Sequence, residues 1–261
     1  MANRLMKVTM LGCGPSWGVP RIGGDWGACD PTNAKNRRRR VSILVEEHGK
    51  AILVDTSPDL RAQLIDAGVQ RIDAVLFTHA HADHLHGIDD LRGVNRLMKA
   101  ALPTYATPET LAEIERRFGY VFAPLKPGLE GNYYKPMLER HPIAGPFTAA
   151  GMAVTPFLQD HGFATTLGFR FDRFAYSTDV IALDDRAFQA LAGIDTWVVD
   201  CIRRTPHVTH SHIARTLEWI ERVRPRRAVL THMDQTLDYE TLRRVLPAGV
   251  EPGYDGLVLE L

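Results

Sequence analysis

An α/β or α+β fold is predicted for this 261-residue chain from three observations. Short apolar runs that read as strands alternate with helix-like segments at residues 57–67, 184–191, 211–223 and 239–245. Polar groups recur just past those apolar runs, and in a sheet covered by helices such positions collect along one edge, where sites form. Finally, a hydrophobic share of 45% and a charged share of 24% are ordinary for a globular protein with a substantial core.

In chain order, residues 8–11 read as a strand running into Gly12-Cys13-Gly14-Pro15-Ser16-Trp17-Gly18-Val19-Pro20. The glycine spacing is wrong for a dinucleotide fingerprint, and Pro15 stands where a helix should open, so this is a rigid loop whose glycines allow close backbone approach. The run Arg37 to Arg40 is read as a solvated approach to a strand, with a phosphate role for one arginine as the sharper alternative. Residues 41–46 and 51–55 make a hairpin around His48-Gly49. Ser57-Pro58-Asp59 starts a helix with an apolar face of Leu60, Leu64 and Ile65. Residues 74–77 form the next buried strand, 88–99 a helix, 104–106 a short strand, and Thr107-Pro108-Glu109 caps a helix running to Gly119. The aromatic, proline-containing residues 120–142 suggest a lid, with a packed surface loop as the alternative.

Later strands end in chemistry. Residues 153–158 lead to Gln159-Asp160-His161, 173–176 to Ser177-Thr178-Asp179, 196–199 to Asp200, and 228–230 to Thr231-His232. Any one of these alone would more often be a turn former; their shared position is the argument.

Thr78-His79-Ala80-His81-Ala82-Asp83-His84 sits just past a buried strand and reads as a metal site. His79 and His81 alternate with alanine and can face one side, while Asp83 and His84 add an oxygen and a third nitrogen. Such mixed ligands suit zinc, manganese or iron. With 11 histidines in the chain, a chance cluster of this pattern is expected on the order of once in a thousand chains.

Other features exclude classes. Cys13, Cys29 and Cys201 are widely separated and odd in number, which fits a reducing cytoplasm better than a disulfide framework. No signal-peptide core is seen in residues 1–10 and no apolar run approaches bilayer length, so a cytoplasmic protein without membrane partners is expected. A formal net charge of zero removes the long-range attraction most nucleic-acid binders use.

At this point the chain resembles the metallo-β-lactamase fold superfamily, whose hallmark His-x-His-x-Asp-His is present as His79 to His84. The loop at 12–20, the arginine-rich approach, Leu53-Val54-Asp55, His161, Ser177-Thr178-Asp179, His210, Leu230-Thr231-His232-Met233 and Tyr254-Asp255-Gly256 extend the resemblance to the PhnP-like phosphodiesterase branch. It implies a single domain over residues 1–261, built as a four-layer αββα sandwich, with two divalent ions, Mn2+ or Zn2+, at one edge. On that resemblance His79, His81 and His161 hold one ion, Asp83, His84 and His232 the other, and Asp179 bridges them. Asp55 orients a ligand imidazole from behind. His210, placed at the opening of the 211–223 helix and flanked by His207 and His212, acts with Asp83 in catalysis. Relatives in this branch carry further cysteines and a histidine for a structural zinc. Here Gly24, Trp26 and Gln235 stand in those places, so no structural zinc is expected, Trp26 is expected to pack in its stead, and Cys29 to be a buried thiol.

The resemblance implies a metal-dependent phosphodiesterase acting on small cyclic phosphodiesters or nucleotide-like esters through a hydroxide held by both ions, with His210 at the leaving group. A homodimer and a small phosphodiester substrate are the expected partners. The alternatives are a tRNA 3′-processing endonuclease, which would need a basic arm not evident in this sequence, and a noncatalytic nucleotide-binding module, which would have lost metal ligands.

Overall fold

The computed structural model describes residues 6–129 and 131–261; the expectation for the amino terminus falls, for residues 1–5, outside them. The chain first forms β1 (Lys7–Gly12), β2 (Ser42–Glu47), β3 (Lys50–Val54), β4 (Ala74–Leu76), β5 (Leu102–Ala106) and β6 (Leu138–Pro142). It continues into β7 (Phe147–Ala149), β8 (Met152–Asp160), β9 (Thr165–Phe171), β10 (Phe174–Ser177), β11 (Thr196–Asp200), β12 (Arg227–Thr231) and β13 (Val250–Pro252), and β14 (Val258–Glu260) returns to pair with β1. Among the described residues these make two seven-stranded sheets, ordered β14-β1-β2-β3-β4-β5-β6 and β13-β12-β11-β10-β9-β8-β7. Each sheet is antiparallel in one half and parallel in the other, the change falling at β3 in the first and β10 in the second.

The period-two pattern of the first sheet explains why it is covered on both sides. Val8, Met10, Ile43, Val45, Ile52, Val54 and Leu76 face the second sheet in one core with Phe169, Phe171 and Tyr176. The intervening Leu11, Leu44, Leu53, Val75 and Phe77 join a second core. That core is closed by Leu60 and Leu64 of α1 (Leu60–Asp66), Leu91 and Val94 of α3 (Leu91–Met98), and Leu111 and Ile114 of α4 (Pro108–Phe118). The short α2 (Ala82–Leu85) lies in the loop after β4. On the far side, α5 (Asp185–Leu191), α6 (Ile213–Val223) and α7 (Tyr239–Val245) cover the second sheet through Leu191, Trp219 and Leu242. The result is the αββα sandwich of the metallo-β-lactamase type.

Local chemistry sets the helix starts. Thr107 Oγ accepts from the Thr110 amide at 3.1 Å with Pro108 in the first turn, and Asp184 Oδ1 accepts from the Ala187 amide at 2.8 Å. Gly12 is required by close approach: a Cβ there would stand 2.1 Å from the Arg40 carbonyl oxygen.

Several sequence expectations change. Residues 88–99 divide into a 3-10 turn, Ile88–Asp90, and α3. The end of the proposed lid, residues 138–142, is instead the edge strand β6, fixed by parallel pairing with β5. The helix expected from residue 211 begins at Ile213, because Ser211 and His210 are drawn inward by Asp200. The arginine run is not uniformly solvated. Arg38 is 1% exposed, and its guanidinium donates to the carbonyls of Leu237 at 2.6 Å and Asp234 at 3.0 Å. Gln235 accepts from the Trp17 indole N–H at 3.1 Å, whereas Trp26 is half-buried beneath the Arg37 guanidinium.

Candidate metal centre

Six chain segments deliver polar side chains to one edge of the sandwich, each at or just past the end of a strand: Asp55 after β3, residues 78–84 after β4, His161 after β8, Asp179 after β10, Asp200 as the last residue of β11 and His232 after β12. Three of these positions have left-handed backbone, Asp55 at φ 64°, Asp179 at φ 56° and His232 at φ 58°. Their strands turn sharply there, swinging the side chain out of the sheet.

Three donor sets result among the described residues: two are built on Asp179, and the third is Asp200, His210 and His232. His79, His81, His161 and Asp179 offer ligand atoms within 4.8 Å of one another, and so do Asp83, His84, Asp179 and His232. Asp179 divides its oxygens between them. Oδ2 lies 3.5 Å from His161 Nε2 and 3.8 Å from His79 Nε2, while Oδ1 lies 3.1 Å from His84 Nε2 and 3.3 Å from His232 Nε2. Asp83 Oδ2 stands 3.5 Å from His84 Nε2 and 3.6 Å from His232 Nε2. Ligand atoms around a tetrahedral zinc at its usual bond length are about 3.3 Å apart, so these spacings suit a cation better than a hydrogen-bonded cluster.

The outer hydrogen bonds decide which nitrogen each ring presents. Thr78 Oγ donates its single proton to Asp55 Oδ2 at 2.8 Å, so its contact of 3.0 Å with His79 must be accepted from Nδ1–H. His84 Nδ1 lies 2.7 Å from Asp55 Oδ2, and His161 Nδ1 lies 2.7 Å from the Thr209 carbonyl oxygen, an acceptor only. In the neutral form, the one a metal ligand takes, all three rings therefore carry the proton on Nδ1 and turn a bare Nε2 toward Asp179. Nε2 of His79, His84 and His232 is buried and without a hydrogen-bond partner. An orphaned buried nitrogen costs about 1–3 kcal/mol; three around one carboxylate are what a metal site looks like from the protein's side.

The electrostatics agree. Asp55, Asp83, Asp179 and Asp200 are at most 8% exposed. Burial would lower His84, yet Asp179, Asp83 and Asp55 outweigh it and hold the ring well above its ordinary range. Burial opposes His232 too, and Asp179 leads the groups that push it up to about 9. Burial and the neighbouring His84 hold His79 well below. Burial would raise Asp83 and Asp179, but His84 in the first case and His232 in the second keep both carboxyls depressed. The edge is a buried anionic field in which protons occupy places open to cations.

His210 is 8% exposed, with Nδ1 at 3.3 Å from Asp200 Oδ2 and Nε2 at 3.8 Å from Asp179 Oδ2. The structure thus brings together every sequence-predicted site residue. His207 packs beside His210 at a ring-centroid distance of 5.1 Å, whereas His212 caps α6 without a side-chain hydrogen bond. Sequence reasoning missed two supports, the Thr78 hydroxyl and the Thr209 carbonyl, and placed Asp200 at this edge without a role; Asp200 also accepts from the amides of Ser211 at 3.1 Å and Val180 at 3.2 Å. Asp200 had a signal, an aspartate ending an apolar strand as Asp179 does; a backbone carbonyl has none.

Comparison with known proteins places this arrangement. The chain is 33% identical over 256 residues to an octanoyltransferase of Porphyromonas gingivalis, a match covering 97% of the chain and 51% of that protein. It is 31% identical over 141 residues to ribonuclease Z of a Bradyrhizobium species, covering 51% of the chain and 44% of the relative. The chain thus spans about half the length of the octanoyltransferase, and its match to the ribonuclease covers less than half of that enzyme. The crystal structure of a diphosphatase from the PhnP family superposes with a TM-score of 0.90 at 34% identity, covering 98% of this chain and 97% of that one. The beta-lactamase superfamily domain matches residues 50–233, a span holding all three donor sets. With the donor sets, the sandwich and the full-length superposition in agreement, the chain belongs to the metallo-β-lactamase superfamily, in its PhnP-like branch.

Proposed function

We propose that this protein is a metal-dependent hydrolase of small phosphodiesters or nucleotide-like esters, holding two divalent ions. The observation that carries the reading is the division of Asp179, one carboxylate oxygen toward each set of histidine nitrogens. His79, His81, His161 and Asp179 would hold one ion; Asp83, His84, His232 and Asp179 the other. When bound, such ions supply acidified water and neutralise phosphoryl oxygens as charge grows on them.

The remaining work belongs to the chain. Asp55 holds His84 by Nδ1 and, through Thr78, fixes His79, so one buried carboxylate orients a ring in each set. The Thr209 carbonyl does the same for His161. Asp200 accepts from His210 Nδ1 and stabilises the ring when it is protonated, so that Nε2–H can be given to the departing oxygen. Burial of Asp55, Thr78, His84 and Asp200 strengthens these interactions, whereas the ligand His81 stays exposed. The similarity of the PhnP-family diphosphatase supports phosphoester chemistry. The ribonuclease Z match supports a second reading, cleavage of an RNA phosphodiester by the same residues.

Metal analysis of the purified chain, paired with a hydrolysis screen of bis(4-nitrophenyl) phosphate, cyclic nucleotides, cyclic sugar phosphates and a precursor tRNA, tests the reading. Two ions per chain and turnover of the small diesters are expected. Full metal loading without turnover of any phosphodiester would overturn it.

A further inference from the structure

A cavity of about 440 Å3 beside the centre is not used by the proposed chemistry. It joins the site through His207, which lines the cavity and packs against His210, and through Asp234 and Gln235, which follow His232 in sequence.

Its lining is unusual for an idle surface hollow. Trp17 is 40% exposed, yet its ring is fixed because Nε1–H donates to buried Gln235 at 3.1 Å. Arg203 is anchored by its own loop, donating from Nε to the Thr205 carbonyl at 3.2 Å and from NH2 to the Pro206 carbonyl at 2.6 Å. The adjacent Arg204 is exposed and makes no hydrogen bond or ion pair with any described residue. His207 Nδ1 accepts from the Thr209 amide at 3.2 Å, so the neutral ring carries its proton on Nε2, which remains a donor. Against these stands one lining carboxylate, already engaged: Asp234 accepts from Thr236, while the lining Arg21 is neutralised by its ion pair with Asp25. The rim therefore offers a flat aromatic surface, a free guanidinium and N–H donors, the combination that grips a nucleotide by its base and its phosphate.

We infer that this cavity seats the half of the substrate that is not cleaved from the centre side: a planar base against Trp17 and a second phosphate on the Arg203–Arg204 rim, with His207 donating to it. The substrate class narrows accordingly to nucleotides bearing a phosphate besides the scissile one. As a statement about substrate this rests on the proposed function, but the cavity's occupancy can be measured without turnover.

The test is equilibrium binding of ADP to the full chain, read by tryptophan fluorescence and by calorimetry, with adenosine and inorganic phosphate as partial probes. ADP should bind at least tenfold more tightly than either fragment. Arg204→Glu should weaken ADP by about tenfold or more and leave adenosine little changed, with Arg204→Lys recovering much of the loss. Trp17→Ala should weaken ADP and adenosine alike, by about tenfold; Trp17→Phe should restore part of it and guards against a folding defect. Binding of ADP within twofold of wild type in both Arg204→Glu and Trp17→Ala, or no tighter than inorganic phosphate in wild type, would overturn the inference. Wild-type hydrolysis of bis(4-nitrophenyl) phosphate reports separately on the proposed function, so either reading can fail alone.

Discussion

Asp55 Oδ2 lies 2.7 Å from Nδ1 of His84, and neither side chain reaches solvent. The same oxygen accepts from Thr78, which in turn holds His79, so a single carboxylate sets a ring on each side of Asp179. Asp55→Asn should therefore lower metal affinity by about 10–100-fold. Competition against a chromogenic chelator measures it, and an unchanged affinity would remove Asp55 from the support of the centre.

Metal removal should destabilise the fold. Without cations the three orphaned nitrogens and the buried carboxylates are left to protons alone. Addition of zinc or manganese at about a thousand times its dissociation constant is expected to stabilise by about 4 kcal/mol per ion. Thermal melts with and without chelator should differ accordingly, and Asp179→Ala should abolish most of the difference.

His210→Ala should lower turnover of a chromogenic phosphodiester by about 100-fold while metal content is retained, because Nε2 sits 3.8 Å from Asp179 and His210 shares a donor set only with Asp200 and His232, apart from the two sets built on Asp179. Single-turnover rates alongside metal analysis separate the two effects. Equal loss of metal and rate would reassign His210 as a ligand.

Arg38 should be worth more to the fold than its place in an arginine run suggests. Arg38→Ala strips donors from the carbonyls of Leu237 and Asp234 in a fully buried setting. A loss of about 3 kcal/mol or more is expected in urea unfolding. A change below 1 kcal/mol in the same assay would show that water takes over both acceptors.

Asp238 gives a pH-dependent case. Burial would raise its carboxyl, but the Thr241 amide at 2.8 Å, together with Asn36 Nδ2 at 2.8 Å, lowers it to about 2. A depressed carboxyl contributes stability that is present above its unfolded value near 4 and lost as pH falls toward 2. Asp238→Ala should thus cost about 1 kcal/mol near neutral pH, and the cost should shrink through that window. Denaturant midpoints of both proteins at several pH values measure it.

The parts of this structure that were legible in the sequence share a cause. The strand ends expected at 77, 158, 176, 199 and 230, where apolar runs meet polar residues, fall within two residues of the observed ends at 76, 160, 177, 200 and 231, and the sandwich puts those ends on one edge. The strands that were missed lack that signature. In β9, Gly168 interrupts the alternation because the Phe157 ring on β8 lies where a Cβ would be, 2.3 Å away. β7, β13 and β14 have three residues each, too few for a period to register. Arg38 was hidden because burial of one guanidinium among four depends on carbonyls two hundred residues away. Thr209 contributes a carbonyl, which every residue possesses.

The left-handed backbone at Asp55, Asp179 and His232 carries a last consequence. A glycine would adopt those angles without the strain of about 1 kcal/mol that a side chain incurs. At these places conformational ease and chemical usefulness therefore pull the choice of amino acid in opposite directions. Were the chain released from its reaction, drift toward glycine at 55, 179 and 232 would relax the backbone while dismantling the edge.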